Sequence, residues 1–134
     1  MKSFPLFYAF LFVSFTIQAQ EFQFEKETID YGQVAKKSDG ARIFTFTNIG
    51  TAPIIISRVQ SSCGCTVPEK PEAPIVPGAK GEIKVSYDTK RIGGFSKQIT
   101  ILSNATTTRK IVKIKGFVSN VALLEKEKSI LSNN

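Results

Sequence analysis

The segment SSCGCTVP, residues 61–68, holds both cysteines of this 134-residue chain, Cys63 and Cys65, with only Gly64 between them. Three chemistries fit that spacing. Two neighbouring thiols become a disulfide in an oxidising compartment. Two thiolates on one strand face hold a soft ion such as Cu(I) between their sulfurs. Alternatively, two small apolar side chains simply pack into a core. As a staple the disulfide is weak: the chain-entropy relation for a three-residue ring gives about 1.6 kcal/mol, against about 3 for fifteen residues. In an extended strand, Cα atoms two residues apart lie about 6.6–6.8 Å from each other, at the outer edge of the disulfide range. The spacing therefore predicts a strained, easily reduced bond, with Gly64 bending the chain to relieve it. Zinc would need two more ligands. These would be the carboxylates of Glu69 or Glu72, or thiolates of a second copy. Thr66 and Pro68 complete the turn that carries the pair.

Composition narrows the chemistry further. The chain has no histidine, no tryptophan, and a single methionine at Met1. Without histidine, the serine and cysteine triads and most zinc sites are unavailable. The expectation is a protein that is not an enzyme and carries no cofactor. The net charge of +7 favours solubility and anionic surfaces. No basic run is interleaved with aromatic stacking residues, so nucleic acid is not an expected partner.

The elements that must position the cysteines begin after residue 19. Lys2, the apolar run from Phe4 to Ile17, and the small Ala19 read as a signal peptide, residues 1–19, cut before Gln20. The apolar run is shorter than the roughly 20 residues of a membrane span. No cysteine stands at the cleavage site to take a lipid. The mature chain is expected in the periplasm or outside the cell, with no transmembrane segment.

Residues 20–118 then read as one domain of short alternating runs. RIFTFTN places Phe44 and Phe46 on one face and threonines on the other, before an Asn48-Ile49-Gly50 turn. Ile54-Ile55-Ile56 reads as a strand covered on both sides. GEIKVSYD turns Ile83, Val85 and Tyr87 inward, and Ile99, Ile101, Val112, Ile114 and Val118 continue the pattern. Pro68, Pro71, Pro74 and Pro77 confine their segment to an edge or a crossing between sheets. The pattern predicts an all-β, antiparallel sandwich of about seven strands. Its core is Phe44, Phe46, Ile54, Ile56, Ile83, Val85, Tyr87, Ile99, Ile101, Val112 and Ile114. Asn104-Ala105-Thr106 matches a glycosylation sequon but reads as the turn between the last two strands. Residues 119–134 form a tail, either disordered or a short amphipathic helix that could dock on a partner.

FTFTNIGTAPIIISRVQSSCGCTVP, PIVPGAKGEIKVSYDT and ITILSNA together resemble the bacterial domain of unknown function family 1573 over about residues 25–118. The most specific piece is Ser-Cys-Gly-Cys-Thr-Val-Pro. The resemblance implies an immunoglobulin-like fold of the Hydin and major-sperm-protein type, found in exported proteins of Gram-negative bacteria. It implies no established activity, because fold alone does not carry function. Two functional readings follow. The first is a non-catalytic binding or assembly module of the cell envelope, presenting sheet edges or end loops to an envelope protein whose identity, like the oligomeric state, is unknown. The second is a thiol redox or Cu(I)-handling domain centred on Cys63 and Cys65.

Overall fold

Alternating β-branched and aromatic residues leave each strand with one apolar face, and two such faces close on each other to exclude water. The computed structural model describes residues 20–120 and 128–132. The expected signal peptide lies outside the described residues, as do tail residues 121–127 and 133–134. Residues 128–132 are a short exposed helix.

Among the described residues there are eight strands: β1 (Phe22–Phe24), β2 (Thr28–Ala35), β3 (Ala41–Asn48), β4 (Ile56–Ser61), β5 (Thr66–Glu69), β6 (Lys80–Tyr87), β7 (Gly93–Ser103) and β8 (Arg109–Ser119). One sheet has the order β1-β3-β6-β5 and the other β2-β8-β7-β4. The architecture is an immunoglobulin-like sandwich.

Two features of its N-terminal part differ from a simple seven-stranded antiparallel reading. The first run of chain divides into two strands in different sheets, which raises the count to eight. In addition, β2 pairs with β8 in parallel. The cause is a sheet switch within three residues. Glu25 N–H still donates to Thr45 O of β3 at 3.0 Å, while Glu27 O already accepts from Lys113 N–H of β8 at 2.8 Å. The chain crosses between sheets without reversing, so its second half runs alongside β8.

All eleven residues of the expected core are buried, joined by Tyr31, Ile75, Phe95, Val118 and Cys65. Phe46 is the hub of the first sheet, with the Phe22 and Phe24 rings at 5.0 and 5.3 Å. It covers Gly81, where an added Cβ would lie only 2.4 Å from Phe46 Cζ. The isoleucine run behaves differently from a strand covered on both sides. Ile54 and Ile56 are buried, but Ile55 is 53 % exposed. Ile54 forms only an isolated bridge to Ile75, and β4 starts at Ile56 as an edge strand with a solvated outer face. The proline-rich segment runs at an edge, as its composition requires: Pro68 lies in β5, the outermost strand of its sheet.

Candidate functional site

The polypeptide that links β4 to β5 must cross from one sheet to the other at the end of the sandwich, and this crossing is the Cys63–Cys65 segment. Cys63 and Cys65 are joined by a disulfide, which leaves no free cysteine. Their Cα atoms are 5.4 Å apart, well inside the usual range of about 4.4–6.8 Å. The strain expected of an extended strand is not imposed by the backbone, because the chain is turning here: Thr66 N–H donates to Cys63 O at 3.4 Å. Gly64 is the first central residue of that turn, where φ near −60° serves any residue in the common types. Its φ is not positive. The bend does not depend on glycine, contrary to the expectation from spacing. What Gly64 does provide is openness, since a Cβ there would meet no atom within 4 Å.

The two cysteines have unequal surroundings. Cys65 is 6 % exposed and belongs to the core cluster, whereas Cys63 is half-buried at its rim. Cys65 N–H donates to Cys63 Sγ at 3.2 Å. The Thr66 hydroxyl, itself buried, lies 3.9 Å from Cys65 Sγ. Two serines that sequence reasoning passed over brace the turn. Ser61 Oγ accepts from Cys63 N–H at 3.2 Å, and Ser62 Oγ accepts from Gln98 N–H at 3.2 Å. The position of Ser61 two residues before Cys63, where a short hydroxyl side chain folds back on the backbone, is the signal that could have found it, whereas the partner of Ser62 lies 36 residues away. Thr66 lies opposite Tyr87 in the β5–β6 register, and Asp88 N–H donates to Cys65 O at 2.8 Å. The Tyr87 ring stacks on Phe95 at 3.8 Å, and Phe95 meets Tyr31 edge-on at 5.2 Å. An aromatic layer thus underlies this end of the sandwich. Burial pushes the Tyr31 hydroxyl pKa up, Arg42 partly opposing and Asp39 adding to the rise. Tyr31 donates to Gly40 O at 2.7 Å.

The remaining sequence candidates do not converge on the cysteines. Glu69 faces Lys84 across the β5–β6 ladder, and Glu72 pairs with Lys70 at 3.8 Å. Among the described residues no three metal-ligating side chains cluster. Asn104 is a clip rather than a free acceptor: its Oδ1 accepts from Ile55 N–H at 2.8 Å and its Nδ2 donates to Pro53 O at 3.2 Å. No helix among the described residues is long and apolar enough to cross a membrane.

The sequence between residues 22 and 118 matches the family of proteins of unknown function DUF1573. The chain belongs to the DUF1573 family. No curated protein matches it by sequence. In three dimensions this DUF1573 chain is similar to a protein of unknown function from Porphyromonas gingivalis W83. The TM-score is 0.67 at 16 % identity, over 75 % of this chain and 47 % of that one. The chain therefore spans about half the length of that relative. It is also similar to the PapD-like domain 7 of human CEP192, with TM-score 0.62, 6 % identity, and 76 % and 87 % of the two chains covered. A third similar structure is the CsuC–CsuE chaperone–tip adhesion subunit pre-assembly complex of Acinetobacter baumannii. There the TM-score is 0.53 at 10 % identity, over 74 % of this chain and 57 % of that one. At such identities the likeness establishes the fold alone, an immunoglobulin-like β-sandwich.

Proposed function

We propose that this protein is an exported, non-catalytic binding or assembly module of the bacterial cell envelope, and that it engages a protein partner through the β4 edge and the adjoining end loop. The observation that supports this is the unequal quality of the four sheet edges. Strand β1 has three residues, Pro68 removes a donor from β5, and a bulge between Asp30 and Gln33 interrupts β2. Strand β4 has its irregularity at its start, between Ile56 and Arg58, and continues regularly to Ser61. In an antiparallel ladder, donors point alternately toward and away from the neighbouring strand. Ser62 N–H points to Gln98 O, so Ser61 and Val59 turn their N–H groups outward. These are the groups an added strand would use.

Export is part of the proposal, on the strength of Lys2, the apolar run that follows and Ala19. N-terminal sequencing of native protein should begin within a residue or two of Gln20. The docking reading is tested by affinity capture from envelope extract. Wild type should retain a partner that Ser61→Pro releases, with circular dichroism showing the same fold. Equal capture by a folded Ser61→Pro protein would refute the β4 edge.

A further inference from the structure

The disulfide has no evident structural task, because it closes so short a ring, yet the fold gives it an open approach and an asymmetric environment. We propose that Cys63–Cys65 is a thiol–disulfide exchange site that accepts two electrons from dithiol substrates. Cys63 is the sulfur attacked and Cys65 the sulfur that leaves. This goes beyond the docking reading and does not depend on it, since small thiols are sufficient to test it.

Accessibility decides which sulfur is attacked. Cys65 is buried in the core, whereas Cys63 is half-buried at the rim beside Gly64, where an added Cβ would meet no atom within 4 Å beyond its two chain neighbours. A thiolate of the dithiol attacks Cys63 Sγ. The Cys63–Cys65 bond breaks, its electron pair passes to Cys65 Sγ, and that sulfur takes a proton from solvent. A mixed disulfide now joins Cys63 to the substrate. The second thiol of the substrate, after losing its proton, attacks the substrate sulfur of this mixed disulfide and expels Cys63 as a thiolate, which then takes up a proton from solvent. The net change is transfer of two electrons and two protons: the substrate leaves as a disulfide and the protein as a dithiol.

The hydrogen bonds are placed for these two departures. Cys65 N–H, 3.2 Å from Cys63 Sγ, stabilises negative charge on that sulfur when it leaves. The Thr66 hydroxyl, 3.9 Å from Cys65 Sγ, is the polar group beside the sulfur that leaves first. A thiolate that accepts a backbone N–H is more acidic than a free thiol, and a thiol in apolar surroundings is less so. Cys63 and Cys65 are therefore inequivalent by construction, as exchange requires of an attacked and a leaving sulfur. In the reduced protein the same inequivalence makes Cys63 the nucleophile toward an incoming disulfide.

The test uses the folded full-length chain with dithiothreitol, reduced glutathione and a small aromatic disulfide reagent as probes. In Cys65→Ser the remaining Cys63 thiol should react with the reagent about tenfold faster than the Cys65 thiol of Cys63→Ser. Equal rates would overturn the assignment. Wild-type protein gives a reading that no folding defect of a variant can obscure. Intact mass in redox buffers of dithiothreitol should show gain of two hydrogens while circular dichroism remains native. Reduced glutathione should leave its adduct on Cys63. Reduction that occurs only after unfolding in denaturant would sink the proposal.

Discussion

Asn48 donates its buried Nδ2–H to the backbone oxygen of Ile75 at 2.8 Å, across 27 residues of sequence. The same nitrogen donates to Ala52 O at 2.8 Å, and Oδ1 accepts from Gly50 N–H at 2.9 Å. One amide thus ends β3, shapes the turn after it and anchors the proline-rich segment that leads to β6. Removing it leaves the Ala52 carbonyl without this donor, at a cost of about 1–3 kcal/mol, and takes one of two donors from Ile75 O, which keeps the Ile54 N–H at 2.9 Å. Asn48→Ala should therefore lower unfolding free energy by about 2–4 kcal/mol, read from denaturant midpoints at unchanged slope. A loss under about 1 kcal/mol would mean that water replaces the amide.

Phe46 and Gly81 form a coupled pair. Phe46→Ala should cost about 3–5 kcal/mol, the usual range for emptying a buried aromatic site. Gly81→Ala pushes a methyl into the Phe46 ring and should cost about 1–3 kcal/mol by overpacking. The double variant should be less destabilised than the sum of the two, because the added methyl then has the vacated ring space to occupy. Additive losses in a double-mutant cycle would contradict the contact.

Gly64→Ala should fold with stability unchanged or raised by up to about 1 kcal/mol, since alanine narrows the unfolded ensemble at a position whose φ suits it. Thermal unfolding of wild type and variant decides this. A loss above about 1 kcal/mol would show that the turn requires glycine after all.

Removing the disulfide should be inexpensive. Cys63→Ser with Cys65→Ser should lose no more than about 2 kcal/mol from the cross-link itself, because so short a ring removes little entropy from the unfolded chain. Chemical denaturation of the double variant measures this. A larger loss would locate the contribution in the packing of the Cys65 sulfur within the core.

Stability should also fall in strong alkali. Burial raises the folded-state pKa of Tyr31 and of Tyr87 above their ordinary value near 10. Below that value both states are protonated and the contribution is complete. As pH rises through the folded pKa, the unfolded state gives up its protons more readily and the contribution is lost. Denaturant midpoints should be flat to about pH 9 and decline above about pH 10. Tyr31→Phe should shallow that decline while losing the hydrogen bond to Gly40 O. An identical alkaline slope in the variant would assign it elsewhere.

The sequence by itself determined the fold class and the interior of this protein. Alternation along RIFTFTN, GEIKVSYD and the last two strands named eleven buried residues, all of them found in the core, because the period of two is a local property of the extended chain. Ser-Cys-Gly-Cys-Thr-Val-Pro was legible as the place where chemistry gathers. Tertiary structure alone decided what depends on neighbours distant in the chain. Ile55 could be assigned to a solvated face only once β4 was known to be an edge. The parallel course of β2 followed from a partner switch between Thr45 and Lys113. Asn48 read as a turn residue until Ile75 arrived to accept its proton. The inequality of Cys63 and Cys65 has the same origin: two cysteines one residue apart are equivalent in sequence, and they become distinct only when the sandwich closes over one and leaves the other at its rim.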